Sequence, residues 1–299
     1  EDAVLDALDE AIRLQLIRET RVGRGTGYTF EHALIRQTLY EALNVRRRAR
    51  LHQEVGEALE VLYGTRKDDH IEELAYHFGE AGPATTQKGI DYNLRAARKA
   101  ASLYAMEEGE RRLKVALELA EGADDAGARV NLLEALGDHY LFFAENQRAT
   151  DAYRQALDVL KAAGDTSSED ALRLYCRAAE ASAGWGTEAS AEALRYAQAA
   201  ADLLRDKPDA PLKARALSLL AIHSARAGDI SSARPHAEQA VAVATRLGDQ
   251  HELSMAYRAM AMVHRNANEW DRYCEVDLMR RALLETAFTP SDPDLYVDL

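Results

Sequence analysis

The sequence predicts an all-α chain built as a stack of helical hairpins, and three observations carry that expectation. Helix breakers are scarce: the 299 residues include 6 prolines and 17 glycines, most of them between long Ala- and Leu-rich stretches. Those stretches repeat apolar residues in steps of three and four. Ile90, Leu94, Ala97, Ala101 and Tyr104 form one such stripe, and Val130, Leu133, Gly137, Tyr140 and Ala144 form another. Small residues also recur at a long, nearly constant interval. Ala97, Gly137, Ala178, Ala221 and Ala261 are separated by 40, 41, 43 and 40 positions.

The first fifty residues have a different organisation. Leu5, Leu8, Ile12 and Leu16 mark one helix. Glu19 to Val22 and Tyr28 to Phe30 then read as a short β-hairpin around the turn Gly23-Arg24-Gly25-Thr26-Gly27. A second helix is expected to begin after Thr29 as its N-cap and to run through Leu34, Ile35, Leu39 and Tyr40 to Leu43. Helix, two-stranded wing and helix make the second half of a winged-helix domain. Segments Arg47 to Tyr63 and Ile71 to Glu80 follow as a divergent hairpin.

Beyond residue 82 the breaks fall at Gly82-Pro83, Gly122, Gly164-Asp165, Gly184-Trp185-Gly186, Pro208 to Pro211, Gly228-Asp229 and Gly248-Asp249. Within each interval a small residue on one helix is followed by further small or apolar residues on the next. From Gly137, offsets of 12, 16 and 19 reach Ala149, Tyr153 and Ala156; from Ala97 they reach Gly109, Leu113 and Ala116; from Ala221 they reach Ala233, Ala237 and Ala240. A missing side chain on one helix lets its partner approach, and an aromatic or Leu fills the adjoining groove. In the third interval the Gly184-Trp185-Gly186 turn adds residues before Tyr196 and Ala199, which are expected to take the corresponding places.

Lys plus Arg number 37 and Asp plus Glu 50, a net charge of −13, which argues against nonspecific binding to nucleic acid or membrane. Two distant cysteines, Cys176 and Cys274, rule out a disulfide framework and point to a reducing, cytoplasmic setting. No apolar run approaches the roughly 18 residues of a membrane span. Opening on Glu1 without a signal peptide, the sequence is expected to be part of a longer polypeptide.

No catalytic constellation emerges, so the chain is expected not to be an enzyme. The Gly23–Gly27 turn lacks the third glycine of a dinucleotide fingerprint, and no P-loop motif occurs. His70, Glu73 and His77 share a helix face without a further ligand at metal-binding spacing, so no metal is expected. Arg46, Arg47, Arg48 and Arg50 precede Glu54, Glu57 and Glu60, a pattern for a salt-bridged helix start.

The string Leu136-Gly137, Tyr140, Ala149, Tyr153, Ala156 resembles a tetratricopeptide repeat with lengthened helices. Residues 28–43, continued by Arg46-Arg47-Arg48-Ala49-Arg50-Leu51-His52 and by residues 72–82, resemble the winged-helix end and sensor region of signal-transducing ATPases with numerous domains, among them large LuxR-type transcription regulators and adenylate cyclase-associated ATPases. This resemblance implies a right-handed superhelix of tetratricopeptide-like hairpins after a partial winged helix. The implied divisions are residues 1–49 for the winged-helix part, 50–287 for the repeats and 288–299 for a tail. It also implies a non-catalytic regulatory sensor or scaffold of a bacterial signalling ATPase. The implied partners are its own ATPase module, another protein, a peptide or a small inducer. ATP or ADP would bind the parent protein, with no cofactor in this region. The alternative is a stand-alone protein–protein interaction adaptor.

His32 matches the histidine of the family's Met-His-Asp motif, whose flanking positions hold Glu31 and Ala33 here. The resemblance implies that it faces nucleotide phosphates in the parent protein, near a helix start where free N–H groups favour an anion. Packing in the winged-helix core is the other reading of His32. Trp185, Tyr196 and Trp270 are candidate partner-binding aromatics, with packing between repeats as their alternative role.

Overall fold

A computed structural model describes the backbone of residues 2–22, 25–182 and 187–287, and the fold is all-α with tetratricopeptide-like superhelical repeats. The chain divides into two compact units, Glu1–Ala96 and Ala97–Leu299. Trp185 and the tail 288–299 lie outside the described residues.

The first unit opens with helix α1 (Asp2–Arg13) and a two-stranded antiparallel sheet, β1 (Ile17–Val22) with β2 (Gly25–Phe30), before helix α2 (Ala33–Glu41). Strand pairing runs from Ile17↔Phe30 to Val22↔Gly25. The strands are thus longer than expected, and Thr29 is a ladder residue opposite Arg18 instead of an N-cap. His32 takes the N-cap position. Leu16 lies beyond the end of α1, where Gln15 adopts a positive φ. No side chain of α1 or α2 is buried.

The core of this unit lies further along, between α3 (Val45–Tyr63), α4 (Ile71–Glu80) and the first part of α5 (Thr86–Ser102). Asn44 caps α3 by accepting from the Arg47 amide. Ile71, Leu74, Ala75, Phe78, Tyr92 and Ala96 form a buried cluster. Gly56 is required there, because a Cβ would lie 3.0 Å from the Phe78 ring. Asn93 Nδ2 donates to the carbonyls of Ala75 and Gly89 and secures α5 against α4.

The second unit continues with α6 (Met106–Gly122), α7 (Ala126–Phe142), α8 (Asn146–Ala162), α9 (Glu169–Ala181), α10 (Thr187–Leu204), α11 (Pro211–Arg226), α12 (Ile230–Leu247), α13 (Gln250–Asn266) and α14 (Trp270–Ala287). Helices consecutive in sequence pack together from α6 onward, and α11 also packs on α9 and α13. This is the nearest-neighbour pattern of a solenoid. The five anchors Ala97, Gly137, Ala178, Ala221 and Ala261 are all buried. At Gly137 the reason is direct: an added Cβ would lie 2.4 Å from Tyr153 Cε1, and Tyr153 is wholly buried. At Gly109 the His139 ring would be 2.3 Å away.

Helix ends follow a finer cadence. Tyr104, Asp124, Ala144 and Gly164 stand twenty residues apart with positive φ, and Gly228, Gly248 and Asn268 repeat that spacing. Each closes the preceding helix with the same pair of hydrogen bonds, as when Tyr104 N bonds Ala101 O at 2.9 Å and Ala105 N bonds Ala100 O at 2.9 Å. Tyr104 and Ala144, expected as the last members of helical stripes, are therefore turn residues. Where a stripe reaches the left-handed position, the backbone rotates it out of register.

In the third hairpin the buried contacts of α10 are Ala193, Ala197 and Ala200, while Tyr196 and Ala199 are half-buried. The extra turn residues shift the helix by three positions, whereas Tyr196 and Ala199 correspond to a shift of two. That single residue rotates the packing face by about 100°.

Candidate functional site

The helices α7, α9, α11 and α13 are the first members of successive hairpins, and charged side chains link them into a ladder. Glu134 on α7 receives Arg173 Nε at 2.6 Å and Nη2 at 2.9 Å, a bidentate pair. Asp138, one turn later, accepts the Tyr153 hydroxyl at 2.6 Å and lies 3.6 Å from Arg177 Nε. On α9, Glu180 faces Arg215 of α11 at 2.8 Å, and Arg215 makes a bidentate pair with Glu252 of α13 at 2.9 and 2.6 Å.

Solvent access is uneven along this ladder. Asp138 and Arg177 are half-exposed, whereas the Glu252 side chain is 8% exposed. Burial pushes the Glu252 carboxyl up against the opposing pull of Arg215. Burial alone would lower Arg215, but Glu180 and Glu252 hold its guanidinium firmly protonated. Asp138 and Arg177 are thus accessible to solvent, whereas Arg215 and Glu252 are enclosed between helices.

A second feature lies at the last hairpin. An open groove of about 340 Å³ between α12, α13 and α14 is lined by Val241, Tyr257, Met260, Val276 and Met279 and by the charged groups of Arg234, Glu238, Arg272 and Glu275. At its edge His264 Nδ1 meets Glu269 Oε2 at 2.6 Å, and Arg234 donates to the same carboxylate at 2.8 Å. The His264 and Arg234 hydrogen bonds hold the Glu269 carboxyl below its ordinary range.

In the first unit, His52 accepts or donates at both ring nitrogens: Nε2 lies 2.9 Å from the Tyr40 hydroxyl, and Nδ1 lies 3.2 Å from His77 Nδ1. This relay joins α2, α3 and α4. Among the described residues no group of three His, Cys, Asp or Glu side chains is arranged to share a metal ion. Glu73 instead accepts the Tyr63 hydroxyl at 2.5 Å, and His70 stacks on the Tyr63 ring. Arg50 pairs with Glu54 at 2.8 Å.

His32 is exposed at the start of α2, and its side chain makes no capping hydrogen bond. Tyr196 packs beside Tyr175 and donates to Glu192 at 3.2 Å. Trp270 begins α14, is mostly exposed and meets Tyr273 edge-on. Tyr196 and Trp270 therefore sit on second helices, whereas the charged ladder runs along the first helices. The ladder has a sequence signal that short motifs do not carry: Glu134 to Arg173 and Asp138 to Arg177 are opposite charges 39 positions apart, close to the repeat interval.

No family model and no curated protein matches this chain. Solved structures do match. BtubC (BKLC) from P. vanneervenii has a TM-score of 0.60 at 16% identity, over 79% of this chain and 94% of its own. A Rap protein complexed with competence and sporulation factor has a TM-score of 0.52 at 14% identity, over 84% and 75%. PH0952 from Pyrococcus horikoshii is a signal transduction ATPase with numerous domains and a tetratricopeptide repeat sensor. It has a TM-score of 0.52 at 14% identity, over 93% of this chain and 45% of its own length. Among the described residues no helix is long and apolar enough to cross a membrane. At these identities the likeness establishes the shared fold: tetratricopeptide-like helical repeats.

Proposed function

We propose that the chain is the regulatory sensor and scaffold of a bacterial signal-transducing ATPase of the transcription-regulator type, without catalysis of its own. The observation that carries this reading is the N-terminal helix–hairpin–helix. Val4, Leu5, Leu14, Leu34 and Leu39 are exposed there, and neither helix has a buried side chain. Exposed apolar side chains grouped on so short a segment mark an interaction surface. The second half of a winged helix, packed on an ATPase module, has such a surface covered. The likeness to PH0952 across nearly the whole chain supports the same order of parts.

In this reading a partner protein, peptide or small inducer binds the face formed by the first helices, and the resulting shift of the repeats is passed to α2 and His32. His32 then biases an ADP-bound resting state against an ATP-bound active state. The test is nucleotide exchange by the intact protein. Replacing His32 by Ala is expected to change ADP release by about fivefold or more at unchanged thermal stability; unchanged release and unchanged signalling output would refute the assignment. The match to nearly all of BtubC favours a second reading, a stand-alone adaptor. An ATPase module within the same polypeptide decides between them.

A further inference from the structure

Among the described residues, seven turns of the second unit share one left-handed position, and its occupants differ in kind. Glycine fills it at 164, 228 and 248; Asp124, Ala144 and Asn268 are small or short polar residues. The seventh is Tyr104, with φ 57°. A bulky side chain is strained in this conformation, which glycine adopts without cost. Burial does not compensate Tyr104, since it is 78% exposed. Its ring lies 5.9 Å from that of Phe142, itself 53% exposed, at the matching edge of the next hairpin. Leu103, 67% exposed, completes an apolar patch along the turns.

Two carboxylates follow in the same turns. Glu107 and Glu145 are exposed, and neither side chain forms a hydrogen bond or ion pair with a described residue. They stand three residues after Tyr104 and Phe142 respectively, and exposed aromatic rings combined with uncommitted carboxylates are the chemistry that holds an ammonium or guanidinium group. The net charge of −13 draws such a group in.

We propose that Tyr104, Phe142 and Leu103, flanked by Glu107 and Glu145, form a docking surface for a basic segment of a partner protein that carries apolar side chains between its Lys or Arg residues. The aromatic rings take the apolar side chains and stack with the cations, and the carboxylates pair with the charges. This surface lies on the turns, apart from the first-helix ladder, and does not depend on an ATPase parent.

The test uses the full chain and a short fluorescein-labelled peptide of alternating Arg and Leu, with a Glu–Leu peptide as control, read by fluorescence anisotropy. Tyr104→Gly is expected to raise the thermal midpoint by relieving the turn and yet to weaken Arg–Leu binding about tenfold. Phe142→Ser weakens it similarly, Glu107→Gln with Glu145→Gln weakens it and flattens its salt dependence, and Ala144→Gly leaves it unchanged. Tyr104→Gly binding at the wild-type affinity would overturn the proposal, because general attraction to an acidic protein does not depend on a neutral ring. Equal binding of the Glu–Leu peptide would overturn it as well.

Discussion

Gly137 carries no side chain because the Tyr153 ring occupies the space a Cβ needs, and the Tyr153 hydroxyl is committed to Asp138. Gly137→Ala is therefore expected to cost about 3 kcal/mol in urea unfolding, the upper range for overpacking a tight contact. Ala144→Gly is expected to gain about 1 kcal/mol, because the left-handed turn no longer strains a Cβ. Glu110 gives a pH signature. Burial would raise its carboxyl, but Lys114, Arg148 and Tyr140 bring it down to about 2 from the usual 4.5. A carboxylate held low contributes stability above its unfolded value, which is lost as pH falls through the folded one. The full shift is worth about 3 kcal/mol, reduced to roughly 1–2 by solvent around the exposed Lys114 and Arg148. Glu110→Gln should flatten stability between about pH 4.5 and 2 in acid titration followed by circular dichroism. The Gly137 contact was legible because a missing volume shows in a sequence. The left-handed turns were only half legible, since Tyr104, Asp124, Ala144 and Asn268 carry no glycine to mark them.

Pairs of elements depend on buried polar contacts that no short motif announces. Arg215 holds α9 and α13 to α11 through Glu180 and Glu252. Arg215→Met should cost about 3 kcal/mol by leaving two carboxylates facing without a cation, and adding Glu252→Leu and Glu180→Leu should recover most of it. In the first unit, burial lowers both His52 and His77, and His77 lowers His52 further. Arg48 adds to the lowering of His52; Glu80 opposes it, and Glu73 opposes that of His77. Bases held low stabilise the fold above their unfolded value of 6.5, and that contribution is lost as pH falls below it. Thermal melts of the chain should therefore show a loss between about pH 7 and 5 that the double variant His52→Gln, His77→Gln lacks. Helix existence was legible from periodicity, while the α10 packing face was missed by one residue. An irregular turn shifts the phase of everything after it, and local apolar patterning cannot fix that phase when nearly every candidate position is alanine.

At the scale of the molecule, the repeat interval in the sequence reflects a physical economy. Each hairpin buries its apolar side against its neighbours, so an interval of about forty residues was visible before any helix was placed. The charged ladder was not, because its members pair across hairpins at spacings of 35 to 39 residues that no short motif marks. A stack of this kind responds to damage locally, unlike a globule with one shared core. Native-state hydrogen exchange on Gly137→Ala tests this directly. The stacked-hairpin account predicts faster exchange in α7, α8 and the adjoining helices, with α13 and α14 protected as in the wild type. A uniform loss of protection throughout residues 97–287 would contradict it.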